Sequence, residues 1–559
     1  MSPKKKQKPD IDFRILGVIL IFVISLAVNI FFCFQKMGFH EDEYYTYYSS
    51  NRSIGLYQPD RQWQDRATIT EEFTVKPSES FNYGMVSLVQ SWDVHPPVYY
   101  FIFHTICSFF SLVFTKWTGL ITNLIAFVLG FLLFDKLLEM LEIPYYLRLT
   151  ILAFWGMNPQ TVSCNLFIRM YAWLSLFIIA CATIHVGMIQ RIKRVRGTGN
   201  YYSNVISGRY EGKAYGNISN ARFFVYYFLP LIVTSFLGFL TQYFYLLFFV
   251  PIGFYFVIWI FFFKRDYIKG VIYIIACGLS LLLAVLAYPA SLHQIFGGYR
   301  GNGATESLLD IANSFMRISF FAGLLNDFVF AGLLPIIIAV IVLVLVAVVF
   351  LGREYVGTVE DDDYDRKTEF GALAFGGICY FLLASKAALL VGSASNRYEM
   401  PIYGIIIVLL FSFWDKYLAK LNKYLTYAIL PLVAIALLAK AYAFDKNILF
   451  LYPEDQAKVE YAAENSDQVA IVMFNPATPH NVWRLTNEIL EYPEVFYMDE
   501  ENLEPVTDER VLAAEKILLY VADDDQQEDA INGLIKATGL TEKEQVFTED
   551  MWSTYVLSK

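Results

Sequence analysis

Twelve apolar runs, most of them near the length needed to cross a bilayer, punctuate the first 444 residues: 13–34, 97–115, 117–137, 147–166, 168–189, 223–240, 243–263, 268–290, 329–351, 370–391, 399–415 and 424–443. A hydrocarbon core takes about 20 helical residues. Backbone polar groups in lipid must be satisfied within the segment, so such runs are expected to be helices. The chain therefore reads as mostly α, a polytopic membrane protein. Composition agrees: 56% of its 559 residues are apolar and 17% charged, against about 25% charged in a soluble domain. Mean hydropathy is +0.44. A disordered chain and a simple soluble enzyme are excluded. The six cysteines (Cys33, Cys107, Cys164, Cys181, Cys277, Cys379) lie in apolar stretches and read as small hydrophobes, not as bridges or metal ligands.

The net charge of −10 hides a split. From Asp445 to Lys559 there are 25 acidic and eight basic residues, and the other 444 residues carry a net +7. An apolar, mildly basic body, 1–444, thus joins an acidic tail, 445–559. In the tail, Val469 to Phe474, Val495 to Tyr497 and Ile517 to Val521 read as strands, and Asn481 to Leu490 and Gln527 to Thr538 as helices. That predicts a small α/β domain with an accessory or acceptor-docking role. No basic stripe with interleaved aromatics lies outside the membrane body, so nucleic acid is not expected as a partner.

Basic residues favour cytoplasmic loops. Lys4 to Lys6, Arg191 to Arg196, Lys264-Arg265, Arg353 and Lys416/Lys420/Lys423 mark inner loops on that rule. Residues 15–34 then read as an uncleaved first span. Parity requires that one candidate not cross. The segment 97–115, which opens at Pro96-Pro97, is expected to lie along the outer interface or re-enter. About eleven crossings remain, with a cytoplasmic N-terminus, an outer loop 35–116 carrying interfacial helices, further outer segments at 291–328 and 392–398, and an extracytoplasmic tail. The expected location is a bacterial plasma membrane.

This sorting gathers polar residues on the outer side. In Phe39-His40-Glu41-Asp42-Glu43-Tyr44-Tyr45 the acids stand just past the first span. They suit a site at headgroup level or, equally, an interfacial aromatic belt with solvated acids. In His95-Pro96-Pro97-Val98-Tyr99-Tyr100 two prolines stiffen the chain behind His95; an ordinary helix start reads the same way. Arg169 separates two apolar runs, where a charge normally faces a cavity or partner. Arg397 is similar, in Ser395-Asn396-Arg397-Tyr398-Glu399-Met400-Pro401, and Lys386 stands in the run before it. Guanidinium groups suit phosphate oxygens, and snorkelling at span ends is the plainer account.

The set of an Asp-Glu pair after the first span, His-Pro-Pro-x-Tyr-Tyr, Arg-x-Tyr and a late Arg-Tyr-x-x-Pro resembles the integral-membrane glycosyltransferases of the GT-C class. The resemblance lies with the branch of protein O-mannosyltransferases and lipid A aminoarabinose transferases (glycosyltransferase family 39-like) and covers roughly residues 1–444. It implies a polyprenyl-phosphate sugar donor, a glycan, lipid or protein acceptor, and inverting transfer. On this resemblance Asp42 is the base and Glu43 its catalytic neighbour, and Arg397 and Arg169 offset phosphate charge. His95, Tyr171, Gln242, Tyr243, Arg300, Lys386 and Tyr398 complete the implied substrate site. The family's Thr-His-Tyr is here Thr241-Gln242-Tyr243, without the His, and Glu41 adds a third acid. No cofactor is required; Asp42, Glu43 and His95 are the residues that would hold a Mg²⁺ or Mn²⁺ ion. A transporter or lipid flippase, and a non-enzymatic assembly or sensor protein, are the rival readings.

Overall fold

A computed structural model describes residues 13–52, 56–196, 219–355, 366–502, 504–549 and 551–559. Lys4 to Lys6 and Asp361 to Asp363 lie outside the described residues, as do the side chains of Arg194, Arg196 and Arg353. The molecule is mostly helical, with one small sheet built largely from the tail. Among the described residues nine helices are long and apolar enough to cross a membrane, from Arg14–Gln35 to Tyr424–Asp445. The chain is thus a multi-pass membrane protein. The helix Val98–Phe109 has 12 residues, about 18 Å at 1.5 Å per residue, too short to cross.

Two expectations need correction. The run 147–166 is not one helix but two, Tyr145–Gly156 and Pro159–Leu166. The break follows from Gly156-Met157-Asn158-Pro159: Asn158 caps the second helix, its side chain accepting the Gln160 N–H, and Pro159 fills the first turn, where its missing N–H costs nothing. The segment 291–328, expected as a plain outer loop, holds helices Tyr299–Leu309 and Ser314–Leu324. Together with the π-turn that follows they pass as one apolar pair bent by 108°. Lys386 and Arg317 pin the bend: Lys386 Nζ reaches the Asp310 carbonyl, Asn313 and Ser314, while Arg317 reaches the carbonyls of Ser385 and Ala388.

Contacts sort the loops between the two ends of the bundle. At one end Lys193 pairs with Glu369 (2.6 Å), Arg148 with Asp135 (2.6 Å), and Arg366 donates to the Glu142 carbonyl (2.9 Å). At the other end meet residues 36–52, 93–95, 167–171, 397–398 and 450–455. Buried amides set that second end. Asn29 donates to the Gly156 carbonyl (3.0 Å), Asn165 to Asn29 (2.8 Å), and Asn123 to the carbonyls of Asn165 (3.2 Å) and Phe167 (2.6 Å). Each satisfies polar groups that burial would otherwise penalise. Gly119 lets the helix Lys116–Met140 approach this turn, since a Cβ there would lie 2.2 Å from Ile168.

The sheet has six strands: β1 Gln62–Asp65, β2 Val469–Phe474, β3 Glu494–Asp499, β4 Lys516–Ala522, β5 Glu542–Thr548 and β6 Trp552–Ser558. Their order is β1-β3-β2-β4-β6-β5. The expected strands are β2, β3 and β4, parallel to one another. Strands β5 and β6 form an antiparallel pair at one edge. The polar β5 (Glu-Lys-Glu-Gln) carries little alternation to find it by. Of the expected helices, Gln527–Thr538 forms, whereas 481–490 is mainly a tight turn, Pro479–Leu485, and the short helix Thr486–Ile489. Strand β1 comes from the first interspan segment and pairs antiparallel with β3. Trp63 fastens it: the ring lies 5.1 Å from Phe496, Nε1 donates to Asp508 (2.9 Å), and the Arg510 guanidinium stacks 3.7 Å above it.

Trp63→Ala is expected to destabilise this docking by about 2–4 kcal/mol and to raise limited proteolysis within residues 56–65. An unchanged digestion pattern would show that β1 is held by something other than its tryptophan.

Candidate active site

The site begins at the helix Glu41–Asn51. Three acids fill its first turn, where the helix dipole favours negative charge. His40 caps it. The ring Nδ1 accepts the Asp42 N–H (3.1 Å), and the His40 N–H donates to Glu43 (2.7 Å). An accepting Nδ1 means a neutral ring with its proton on Nε2, and burial lowers the His40 pKa to about 4, so the cap stays intact at neutral pH.

Glu43 is fully buried. One carboxylate oxygen accepts Lys36 Nζ (3.0 Å) and the His40 N–H; the other accepts the Ile168 N–H (2.7 Å). Burial pushes the carboxyl up and the Lys36 ammonium down, and the ion pair opposes both. Both oxygens are committed, so Glu43 ties three segments together and does not face Asp42's partners. The bond to Ile168 delivers the next residue, Arg169.

Arg169 is almost wholly buried. Its Nη1 donates to the Asp42 carbonyl (3.1 Å) and to Thr46 Oγ1 (3.2 Å), and its Nη2 lies 4.0 Å from the Asp42 carboxylate. The same nitrogen reaches His95 Nε2 (3.3 Å), whose Nδ1 faces Asp93 (3.1 Å). Asp93 thus holds the His95 proton on Nδ1 and leaves Nε2 as acceptor. Burial lowers the His95 pKa against the pull of Asp93.

Arg397 arrives from the far side of the chain, on the short turn Ala394–Tyr398. Its Nη1 stands 2.7 Å from Asp42 Oδ2, and its guanidinium lies over the rings of Phe167 (5.6 Å) and Tyr398 (5.2 Å). Tyr171 meets Tyr398 edge-on at 5.8 Å. Burial would raise the Asp42 pKa, but the Arg169 and Arg397 guanidiniums hold it well below the usual carboxylate range. Glu41, half-buried beside it, is pushed up by burial and by the Asp42 charge. Among the described residues, Arg397 Nε and Nη1 and Arg169 Nε are buried donors without a hydrogen-bond partner. The 2.7 Å approach of Nη1 to Asp42 is an ion pair outside hydrogen-bond alignment.

The structure thus brings Asp42, His95, Arg169, Tyr171, Arg397 and Tyr398 together. It does not bring the rest of the sequence-expected set to Asp42. Lys386 is spent on the bend at 310–314. Arg300 makes no contact with Asp42: it is exposed and lies over Tyr299 (5.1 Å), though its charge acts on the neighbouring Glu41, favouring the ionised form. Gln242 caps its own turn, accepting the Phe244 N–H (3.3 Å). Tyr243 acts at one remove: it donates to Gln294, which in turn donates to the carbonyls of Gln90 (2.9 Å) and Asp93 (2.8 Å). Asp42, Glu43 and His95 form no shared ligand set, and among the described residues no group of three His, Cys, Asp or Glu could hold a metal ion. Two small cavities, of about 20 and 40 Å³, lie among residues 126–176 and beneath Trp483; Asp42 lines neither. Sequence reading missed Lys36, His40 as a cap, and Arg484 of the tail, whose Nη1 donates to the Phe39 carbonyl (2.6 Å). Nothing in the pattern around Arg484 marks it.

No protein-family model matches the chain, and no curated protein matches it by sequence. Among solved structures it is similar to ArnT from Cupriavidus metallidurans in the apo state, at 10% identity and a TM-score of 0.44 over 97% of each chain. It is also similar to the archaeal oligosaccharyltransferase AglB from Archaeoglobus fulgidus in complex with an inhibitory peptide and a dolichol-phosphate. There the identity is 11% and the TM-score 0.44, over 93% of this chain and 71% of that one. An Archaeoglobus fulgidus oligosaccharyltransferase tethered to an acceptor peptide matches at 14% identity and a TM-score of 0.38, over 97% and 74%.

Lys36→Met leaves the Glu43 charge buried and is expected to cost about 3–5 kcal/mol; Lys36→Met/Glu43→Gln, which removes the charge and keeps one acceptor for the His40 and Ile168 N–H groups, should recover only part of it, and thermal melting in detergent reads both. A buried neutral histidine binds its proton later than the unfolded chain does. Stability is therefore expected to fall as pH drops from about 6.5 to 4, by up to about 3 kcal/mol from His40. His40→Asn, which keeps a capping acceptor, should remove the His40 share of that slope, leave the part due to His95, and keep melting at pH 7.5 near wild type.

Proposed function

We propose that this protein is a glycosyltransferase that moves a sugar from a polyprenyl-phosphate donor to an acceptor hydroxyl at the outer face of the membrane. One observation carries the reading: a carboxylate just past the first span meets two arginines, 127 and 355 positions further along the chain, at a single point.

In this reading the acceptor oxygen attacks the anomeric carbon while the bond from that carbon to the lipid phosphate oxygen breaks. Asp42 takes the hydroxyl proton. The electron pair leaves with the phosphate, whose charge grows by one. Arg397, whose buried Nε has no hydrogen-bond partner among the described residues, and Arg169 neutralise that growing charge. Preorganised donors in a water-poor site are worth far more than the same groups in water. Direct displacement inverts the sugar. The Arg397–Asp42 ion pair also gates the base. A donor phosphate draws the guanidinium onto itself, and Asp42, relieved of that cation, becomes more basic where the hydroxyl arrives. Tyr171 and Tyr398 flank the arginine, and His95 holds Arg169 from behind. The meeting of Asp42, Arg169 and Arg397 at an end of the bundle favours this reading over a transporter, which needs its site near the midplane.

Asp42→Asn is expected to lower transfer from a labelled polyprenyl-phosphate sugar by about 10²–10⁴-fold at unchanged expression. Arg397→Gln should weaken donor use at least tenfold, with partial recovery in Arg397→Lys, which keeps charge but loses the bidentate geometry. Full turnover in Asp42→Asn removes Asp42 as base. Donor movement across vesicles with no labelled acceptor favours a flippase.

A further inference from the structure

Residues 36–39 form a short strap between the first span and the helix that carries Asp42, and segments following the last span grip every one of them. Lys36 Nζ donates to the Phe450 carbonyl (2.8 Å). The Met37 N–H donates to the Leu451 carbonyl (2.7 Å), and Asn487 reaches the Met37 carbonyl (3.5 Å). Gly38 lies so close to the tail that a Cβ there would stand 1.8 Å from Asp455 and 2.8 Å from Tyr452. Arg484 Nη1 closes the row on the Phe39 carbonyl (2.6 Å).

Arg484 stands on the turn Pro479–Leu485 between β2 and β3, so it belongs to the sheet domain itself. Its other nitrogen faces Glu549 (3.4 Å), which also receives Lys458 Nζ (2.8 Å), and Lys458 pairs with Asp455 (2.9 Å). The guanidinium is therefore held from behind by a charge network confined to the tail. Ahead of it the chain runs Phe39, then His40, then Asp42, whose N–H the His40 ring accepts. A displacement of the Phe39 carbonyl is passed within three residues to the carboxylate.

We infer that the tail is part of the catalytic apparatus, and that Arg484 is a positioning residue that fixes the Asp42 carboxylate through the Phe39 carbonyl. The inference rests on the glycosyl-transfer reading for its kinetic consequence. Arg484 does not touch the reacting atoms, so its loss changes the rate of the chemical step and not donor affinity. A misplacement of about 1 Å costs on the order of a hundredfold in rate.

The test uses the full-length protein. Arg484→Gln is expected to lower kcat about ten- to hundredfold with KM for the polyprenyl-phosphate sugar held within a factor of about three. Arg484→Lys, which can still donate to the carbonyl, should recover most of the rate. Hydrogen exchange of residues 37–46 should quicken in Arg484→Gln. Glu549→Gln loosens Arg484 from behind without removing its donor; it should show a smaller loss of the same kind and carries the test if Arg484→Gln fails to fold. A merely structural role would lower melting temperature and leave kcat per folded molecule unchanged. Wild-type kcat and wild-type exchange in a folded Arg484→Gln overturn the inference, while an inactive Asp42→Asn beside it leaves the transfer reading standing. No transfer by the wild type overturns the transfer reading, and the exchange experiment then decides alone whether Arg484 fixes the strap.

Discussion

A single buried carboxylate organises one end of this molecule. Glu43 receives an ammonium from the end of the first span, the backbone N–H that opens its own helix, and a backbone N–H from a turn 125 residues away. Taking a charge out of water is costly unless every lone pair finds a donor, and here all three donors come from different places in the fold. The arrangement is therefore selective: only when the strap, the helix start and the 167–169 turn are in place together is the burial of Glu43 offset. The adjacent residues on two of those segments are Asp42 and Arg169, so their meeting follows from satisfying a structural acid.

The electrostatics of the site follow from that placement. Two histidines are held neutral by burial, one as a helix cap and one between Asp93 and Arg169. Two arginines depress Asp42. Among the described residues Arg169 and Arg397 each keep a buried Nε donor without a hydrogen-bond partner.

The tail is bound to the membrane body at two levels. Strand β1 extends its sheet, and the row of contacts on residues 36–39 reaches the threshold of the site. A linker of few contacts would let such a domain move freely; here backbone pairing, a stacked tryptophan and a guanidinium–carbonyl bond limit it. Its acidic charge is partly internal, gathered around Lys458 and Arg484.

How much of this could be read in the chain itself differs by element. Spans are legible because lipid imposes a local rule of length and apolarity, and among the described residues nine helices long and apolar enough to cross a membrane lie where that rule puts them. The run 147–166 obeys the same rule by composition, yet Asn158-Pro159 divides it, because a cap and a proline act on the backbone regardless of hydropathy. Asp42, Arg169 and Arg397 are visible as charges beside apolar runs; so are Lys386 and Arg300, and no local pattern separates the first three from the last two. Arg484 and Lys36 are ordinary residues in their own neighbourhoods. The sequence by itself determined a many-span helical body, an acidic α/β tail and a short roster of polar groups that lipid would not tolerate unpaired. Which of those groups meet was decided only by tertiary structure. Convergence across hundreds of residues depends on how helices cross, on amide bridges such as Asn29–Asn165–Asn123, and on a close approach at Gly119, none of which is encoded within any one segment.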